Sequence, residues 1–259
     1  MIKKKFITKK SLGQHFLHNR HYLEVVADTA DIKKGETVLE IGPGEGALTA
    51  VLLERGAKVV ALEKDSRLIE VLREKFAGEM FEVIEGDALL FDISNSIKNT
   101  TAYKVVGNIP YYITGALFKK FLSGKHQPQT LVFLIQKEVA ERIARSKKES
   151  ILSLSIKAYG VPKYIKSVPA GAFVPPPKVD SSVLLVSGIS RGNFKNAAHE
   201  ERFFELLKAG FGQKRKLLAS NIKKILGEQH TNKLENVGVS PKARAEDVSL
   251  EAWLALSRL

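Results

Sequence analysis

The chain has 259 residues, 44% of them apolar, no cysteine, and a formal charge of +13 from 41 Lys and Arg against 28 Asp and Glu. That length can bury one larger core and carry a small appendage. The lack of cysteine excludes disulfides, cysteine-ligated metals and thiolate catalysis, and fits a reducing, cytoplasmic setting. The positive charge selects polyanionic partners. With no run of eighteen apolar residues, and no apolar stretch following the basic N-terminus, a soluble nucleic-acid protein is expected and a membrane protein is not.

In chain order, Lys3, Lys4, Lys5, Lys9, Lys10 and Arg20 fall in the first twenty residues with no acidic residue among them, which suits an arm that orders on RNA or cofactor. Thr37–Ile41 reads as a buried strand that runs into Gly42-Pro43-Gly44-Glu45-Gly46-Ala47, ahead of an apolar-periodic helix from about Leu48 to Arg55. The next strand, Lys58–Leu62, delivers Glu63 at its end, 21 residues after Gly42. This spacing suits a carboxylate that accepts from both ribose hydroxyls of a cofactor. Gly42, Gly44 and Ala47 also satisfy a dinucleotide pattern, but Glu40 and Glu45 flank the place a pyrophosphate would take and would oppose an anion there. S-adenosylmethionine, with its sulfonium and ammonium, is favoured by the same carboxylates. A glycine-rich turn without a ligand is the plain structural alternative.

A third strand, Phe81–Glu85, is followed by Gly86-Asp87-Ala88, which supplies Asp87 either as an acceptor for the cofactor's adenine amine or as a helix cap. The fourth, Tyr103–Gly107, runs into Asn108-Ile109-Pro110-Tyr111. The lone pair of a planar exocyclic amine is delocalised, and the amine attacks poorly unless acceptors hold its hydrogens. The Asn108 side-chain oxygen and the Ile109 carbonyl supply two such acceptors, Pro110 stiffens the bend, and Tyr111 offers a face for an extracted base. Four strand ends thus carry Gly42, Glu63, Asp87 and Asn108 on what would be one edge of a doubly wound sheet.

Further along, Thr130–Ile135 reads as a buried strand, 137–148 as a charged helix and 151–159 as an apolar-periodic helix. Residues 164–185 read as strands interrupted by Phe173-Val174-Pro175-Pro176-Pro177, where the prolines either hold Phe173 at the mouth of the site or serve as a stiff connector. A composition shift at 188–193 divides the chain into an α/β domain, 1–188, and a small all-helical domain, 189–259, with helices over 201–209, 214–226 and 250–259. Lys214, Arg215, Lys216, Lys223 and Lys224 form a basic helix, either a solvated face or a phosphate-tracking one. The six histidines lack the spacing of a metal site, and no metal is expected.

The segments Lys10–Leu17, Glu40–Gly44, Asn108–Tyr111 and Phe173–Ser181 together resemble the ribosomal RNA adenine N6-dimethyltransferases, most closely the bacterial small-subunit (16S) enzymes, over nearly the whole chain. The resemblance implies a Rossmann-like class I S-adenosylmethionine-dependent methyltransferase that dimethylates N6 of two adjacent adenines in small-subunit rRNA. This would be a late ribosome-assembly step on a pre-assembled particle; separately, a monomer is expected because the sequence shows no oligomerisation stripe. It implies cofactor contacts at His15, Leu17, Gly42, Gly44, Glu63, Asp87, Ala88 and Asn108, with Phe173 stacking on the target adenine opposite Tyr111; many relatives have Asn at the position of His15. The alternatives are a large-subunit rRNA adenine methylase of the antibiotic-resistance type, a DNA adenine methylase, and a non-catalytic RNA-binding factor on the same fold. The segments 241–246 and 249–253 look more like the small-subunit enzymes, and the DNA enzymes typically carry a second proline where Ile109 stands.

Overall fold

The computed structural model describes residues 13–93, 97 and 102–259, so Lys3, Lys4, Lys5, Lys9 and Lys10 of the expected arm lie outside the described residues. In chain order the elements are β1 (Phe16–Leu17), α1 (Arg20–Thr29), β2 (Thr37–Ile41), α2 (Ala47–Glu54), β3 (Lys58–Glu63), α3 (Ser66–Lys75), β4 (Phe81–Glu85) and β5 (Tyr103–Asn108). There follow α4 (Thr114–Ser123), β6 (Thr130–Gln136), α5 (Lys137–Ala144), α6 (Ile151–Lys157), β7 (Val161–Val168), β8 (Phe173–Val174) and β9 (Ser181–Ser187). The last four helices are α7 (Ala197–Gly210), α8 (Leu218–Leu226), α9 (His230–Asn236) and α10 (Leu250–Leu256).

Two compact units divide the chain. One holds the described residues through Ala140 together with Lys163–Ile189, and the other holds Glu141–Pro162 with Ser190–Leu259. The expected boundary after residue 188 put 141–162 with the α/β part. The structure groups them with the C-terminal helices because Tyr159 stacks on Phe204 at 5.9 Å and bonds Glu200, while the Glu149 N–H donates to the Glu246 carbonyl at 2.8 Å.

In the first unit a seven-stranded sheet has the order β4-β3-β2-β5-β6-β9-β7. β4, β3, β2, β5 and β6 are parallel, and β9 is antiparallel to β6. The strands β2, β5 and β6 are buried almost continuously, which is why they read as unbroken apolar runs rather than alternating ones. β7, at the edge, is largely exposed. Parallel register sets Ile41 level with both Leu62 and Gly107, and Glu63 level with Glu85, so the loops after four strands leave from one edge. Strand order reverses between β2 and β5, where a crevice opens. At that seam a Cβ on Gly107 would lie 2.7 Å from the Ile41 carbonyl oxygen, so only glycine allows the approach. β1 pairs antiparallel with β8, matching Phe16 to Val174 and Leu17 to Phe173. Helix α1, not among the expected elements, is capped by Asn19, which accepts from the His21 N–H at 3.1 Å.

The second unit is helical, as expected for its C-terminal part, with two differences. Residues 214–217 precede the helix rather than forming its first turn, because Lys214, Arg215, Lys216 and Leu217 are all exposed; α8 begins only at Leu218, whose side chain is in the core. α9 is an extra short helix that buries only Leu234. Trp253, the one tryptophan of the chain, is fully buried and stacks on Phe211 at 6.0 Å. It fills the space beside Gly210, where a Cβ would meet its ring at 2.4 Å. Gly210→Ala gains about 1 kcal/mol of helix propensity but forces a fully packed ring to move, which costs about 1–3 kcal/mol. The expected outcome is net destabilisation of this unit, read as a lower urea midpoint in Trp253 fluorescence.

Candidate active site

A cleft of about 370 Å³ lies outside the carboxyl ends of β2, β3, β4 and β5, within the range typical of small-molecule sites. It is lined by Gly42 and Gly44 after β2, Glu63 and Lys64 at the end of β3, Gly86 to Leu89 after β4, and Asn108 to Ile113 at the end of β5. Gly13 to Phe16, from the segment before α1, complete the lining. Gly44 has φ of +58°, and a Cβ there would meet the Phe16 ring at 2.7 Å, so the turn's backbone and the Phe16 ring are in direct contact.

Asn108 is the pivot of the cleft. Its Nδ2 donates to the main-chain carbonyl of His15 at 2.7 Å, which commits the amide nitrogen and leaves Oδ1 as the acceptor. Ile109 is buried, and Pro110 at φ −58° turns the chain into a single 3₁₀ turn, Tyr111–Ile113. Tyr111 is half-buried, and its hydroxyl shares a 2.6 Å hydrogen bond with Ser181 Oγ. Burial pushes the Tyr111 phenol up, and the Ser181 bond offsets part of that, so it is a neutral ring at physiological pH. The His15 side chain points the other way, with Nδ1 2.8 Å from the Pro175 carbonyl oxygen.

Glu63 is nearly buried, and both its oxygens are already aligned by main-chain donors: Oε2 accepts from the Gly44 N–H at 3.1 Å and Oε1 from the Asp65 N–H at 2.8 Å. Burial raises its pKa, while these backbone donors pull it back. Each oxygen keeps further acceptor capacity for hydroxyls of a ligand. Asp87 accepts from Lys64 Nζ at 2.7 Å and from the Leu89 N–H at 2.8 Å, so it forms a turn and an ion pair at once; Lys64 holds its pKa below the usual carboxylate range. Glu40 is a correction. It is fully buried under the turn, receives a 2.6 Å hydrogen bond from Thr49 Oγ1, and is pushed up to about 7 by burial. It therefore supplies only part of the negative charge expected of it, and the carboxylates that line the cleft are Glu63 and Asp87.

Of the residues expected at the site, His15, Gly42, Gly44, Glu63, Asp87, Ala88, Asn108, Ile109, Pro110 and Tyr111 line the cleft together. Leu17 and Phe173 do not. They pair with each other across β1 and β8 and are buried in the core. A two-residue strand sends its neighbours to opposite sides, and here Phe173 takes the core side while Val174 is left 55% exposed. Stacking of Phe173 on a base therefore requires the proline-rich loop to turn it out of the core. Lys214, Arg215 and Lys216 are exposed on the turn before α8 in the second unit, and Lys223 and Lys224 are exposed on α8 itself. Sequence reasoning missed Gln14, Phe16, Lys64 and Tyr112 on the cleft, and Asp65 beneath it. Gln14 donates to Asp65 Oδ2 at 2.9 Å, and Asp65 also caps α3. The signal for Gln14 and Phe16 was their place in the motif around His15, but spacing alone did not show that this segment folds over the glycine turn.

The residues fit S-adenosylmethionine. Glu63 presents pre-aligned carboxylate oxygens and the glycine turn exposes backbone at close range, while Lys75, a basic side chain that reaches the turn, is bound to the Glu45 carbonyl at 2.6 Å. The chain matches the family "Ribosomal RNA adenine dimethylase" over residues 5–259. It is 40% identical over 253 residues to a "Ribosomal RNA small subunit methyltransferase A" of Dehalococcoides mccartyi, covering 96% of this chain and 87% of that protein. A protein of the same description from Clostridium botulinum is 36% identical over 261 residues, covering 98% and 94%. Among solved structures, a dimethyladenosine transferase from Plasmodium falciparum superposes with a TM-score of 0.80 at 27% identity, covering 93% of this chain and 96% of that one. The 23S rRNA methyltransferase ErmE gives 0.76 at 27% identity, covering 94% and 98%. The chain therefore belongs to the ribosomal RNA adenine dimethylase family, α/β class I methyltransferases that use S-adenosylmethionine to dimethylate rRNA adenine.

Proposed function

We propose that this enzyme dimethylates N6 of two adjacent adenines in a loop of small-subunit (16S) rRNA, acting as a monomer in the cytoplasm on a pre-assembled particle late in subunit assembly. The observation that carries the chemistry is the fixed orientation of Asn108, whose nitrogen is held by the His15 carbonyl so that Oδ1 faces its task as an acceptor. The small-subunit assignment is supported by the relatives of that description at 36–40% identity over nearly the full chain. No helix among the described residues is long and apolar enough to cross a membrane.

S-adenosylmethionine supplies a methyl group on a good sulfonium leaving group, so the protein's work is alignment and electrostatics. Asn108 Oδ1 and the Ile109 carbonyl accept the two hydrogens of the adenine amine and localise its lone pair. Pro110 fixes the bend that aims the carbonyl, and Tyr111 stacks on the extruded base. No strong base is needed: the methylated nitrogen is acidic while it carries its extra proton and releases it to water. After one transfer N6 retains one hydrogen, and either acceptor can hold it during the second round. Glu63 accepts from the ribose hydroxyls, His15, Gly42, Gly44, Asp87 and Ala88 frame the rest of the cofactor, and the exposed cluster Lys214, Arg215, Lys216, Lys223 and Lys224 tracks rRNA phosphates.

The decisive assay is methyl transfer from labelled S-adenosylmethionine to unmethylated small subunits, large subunits and duplex DNA, with nucleoside analysis. N6,N6-dimethyladenosine in the small subunit alone is expected; label in the large subunit would overturn the assignment. Asn108→Ala is expected to lower kcat by about 100- to 1,000-fold and, because the amide also ties the His15 carbonyl beside the cofactor, to weaken cofactor binding; retained wild-type turnover would sink the assigned role. The ionised form of Glu63 is the better acceptor, so cofactor binding should weaken as pH falls through its raised pKa. Glu63→Gln should bind about 10- to 100-fold more weakly at neutral pH and lose that acid-side dependence, as measured by calorimetry. Replacing Lys214, Arg215 and Lys216 by Ala should reduce the slope of log Kd for small subunits against log salt by about 2–3.

A further inference from the structure

Tyr111 and Tyr112 are adjacent but face different surroundings. In a 3₁₀ turn successive side chains are about 120° apart, and here one ring turns inward to Ser181 while the next turns out. Tyr112 is 66% exposed and still lines the cleft. Among the described residues it is the one exposed Phe, Tyr or Trp. A single exposed apolar side chain is ordinary on a protein surface; this one stands on the rim of the catalytic cleft, directly after the residues that hold the reacting amine. Gly13 faces it without a side chain: a Cβ there would come into ordinary contact with Tyr112 Cε1 at 3.5 Å and Pro110 Cβ at 3.6 Å.

We propose that Tyr112 is the platform for the nucleobase next to the adenine being methylated. This rests on the reading above that an rRNA adenine enters the cleft. Drawing that adenine in beside Tyr111 breaks its stack and leaves its neighbour with a bare face at the rim, where water is the only other partner. An aromatic ring held there recovers that stacking without reading base identity. It also suits a reaction at two adjacent adenines, since each is the neighbour while the other is methylated. The alternative use of the ring is to clasp Gly13 and so close the N-terminal segment over the cofactor.

The test is a double-mutant cycle on small subunits reconstituted with rRNA in which each neighbour of the target adenine is replaced in turn by an abasic nucleotide. Kd is measured with S-adenosylhomocysteine present, and KM and kcat are measured by methyl transfer. Tyr112→Ala should weaken binding of intact subunits about tenfold, and one of the two abasic changes should weaken wild type equally. The two combined should lose no more than either alone. Tyr112→Phe should restore wild-type Kd and KM, Tyr112→Leu should not, and S-adenosylmethionine affinity should be the same in all. Unchanged Kd in Tyr112→Ala, additive losses, or a Phe variant as weak as the Ala variant would overturn the proposal. An equal loss of cofactor affinity would instead assign the ring to clasping Gly13. Wild type that binds the particles without methylating them would overturn the rRNA-adenine reading alone, because the Kd cycle still decides what Tyr112 touches.

Discussion

Parallel pairing of β2 with both β3 and β5 is the constraint on which the site depends. Because Ile41 is level with Leu62 on one side and Gly107 on the other, the glycine turn, Glu63 and Asn108 leave the sheet side by side, although they are far apart in sequence. The approach of β5 to β2 is close enough that Gly107 has no room for a Cβ beside the Ile41 carbonyl. Chemistry-bearing residues on the sheet's edge are thus positioned by backbone hydrogen bonds deep in a dry core, where small displacements are resisted.

Electrostatics at that edge are arranged by burial as much as by the number of charges. Glu40 lies under the turn, accepts from Thr49, and has its pKa pushed up to about 7 by burial. Glu63 is also largely buried but is met by two main-chain N–H groups, which favour its ionised form. Asp87, more open to water, stays ionised and is balanced by the Lys64 ammonium rather than by taking up a proton. Three carboxyls near one cleft therefore do three different things: one packs, one accepts hydrogen bonds, and one shapes a turn at the rim.

Much of this was legible in the sequence because strand ends and punctuation are local signals. The runs Thr37–Ile41, Lys58–Leu62 and Phe81–Glu85 gave the strands, and the glycines and Asn-Ile-Pro-Tyr gave the loops that leave them. What was not legible depended on partners distant in sequence. Nothing in Glu40 itself states that Thr49 covers it, and nothing in Phe173 states that Leu17 will pair with it and draw it into the core. The basic stretch before α8 has good helix formers yet stays a turn, since tertiary burial starts only at Leu218. α9 escaped notice for the converse reason: one buried leucine is too little periodicity to read.

The segment from Gly13 to Leu17 shows how an apparently peripheral stretch governs the chemistry. Its last four residues make four different ties: Gln14 bonds Asp65, the His15 carbonyl holds Asn108, the Phe16 ring covers Gly44, and Leu17 pairs in the core with Phe173. The His15 ring adds a fifth tie, to the carbonyl of Pro175. Asn108 is oriented by the main-chain carbonyl of His15, so the proposed acceptor depends on where the backbone runs rather than on the side chain at that position. The side chain instead fixes the segment to the proline-rich loop. Pairing of Ile41 with Gly107 already brings Asn108 to the end of β2, so docking this segment orders only the stretch between His15 and β2, an entropic cost that its several ties share.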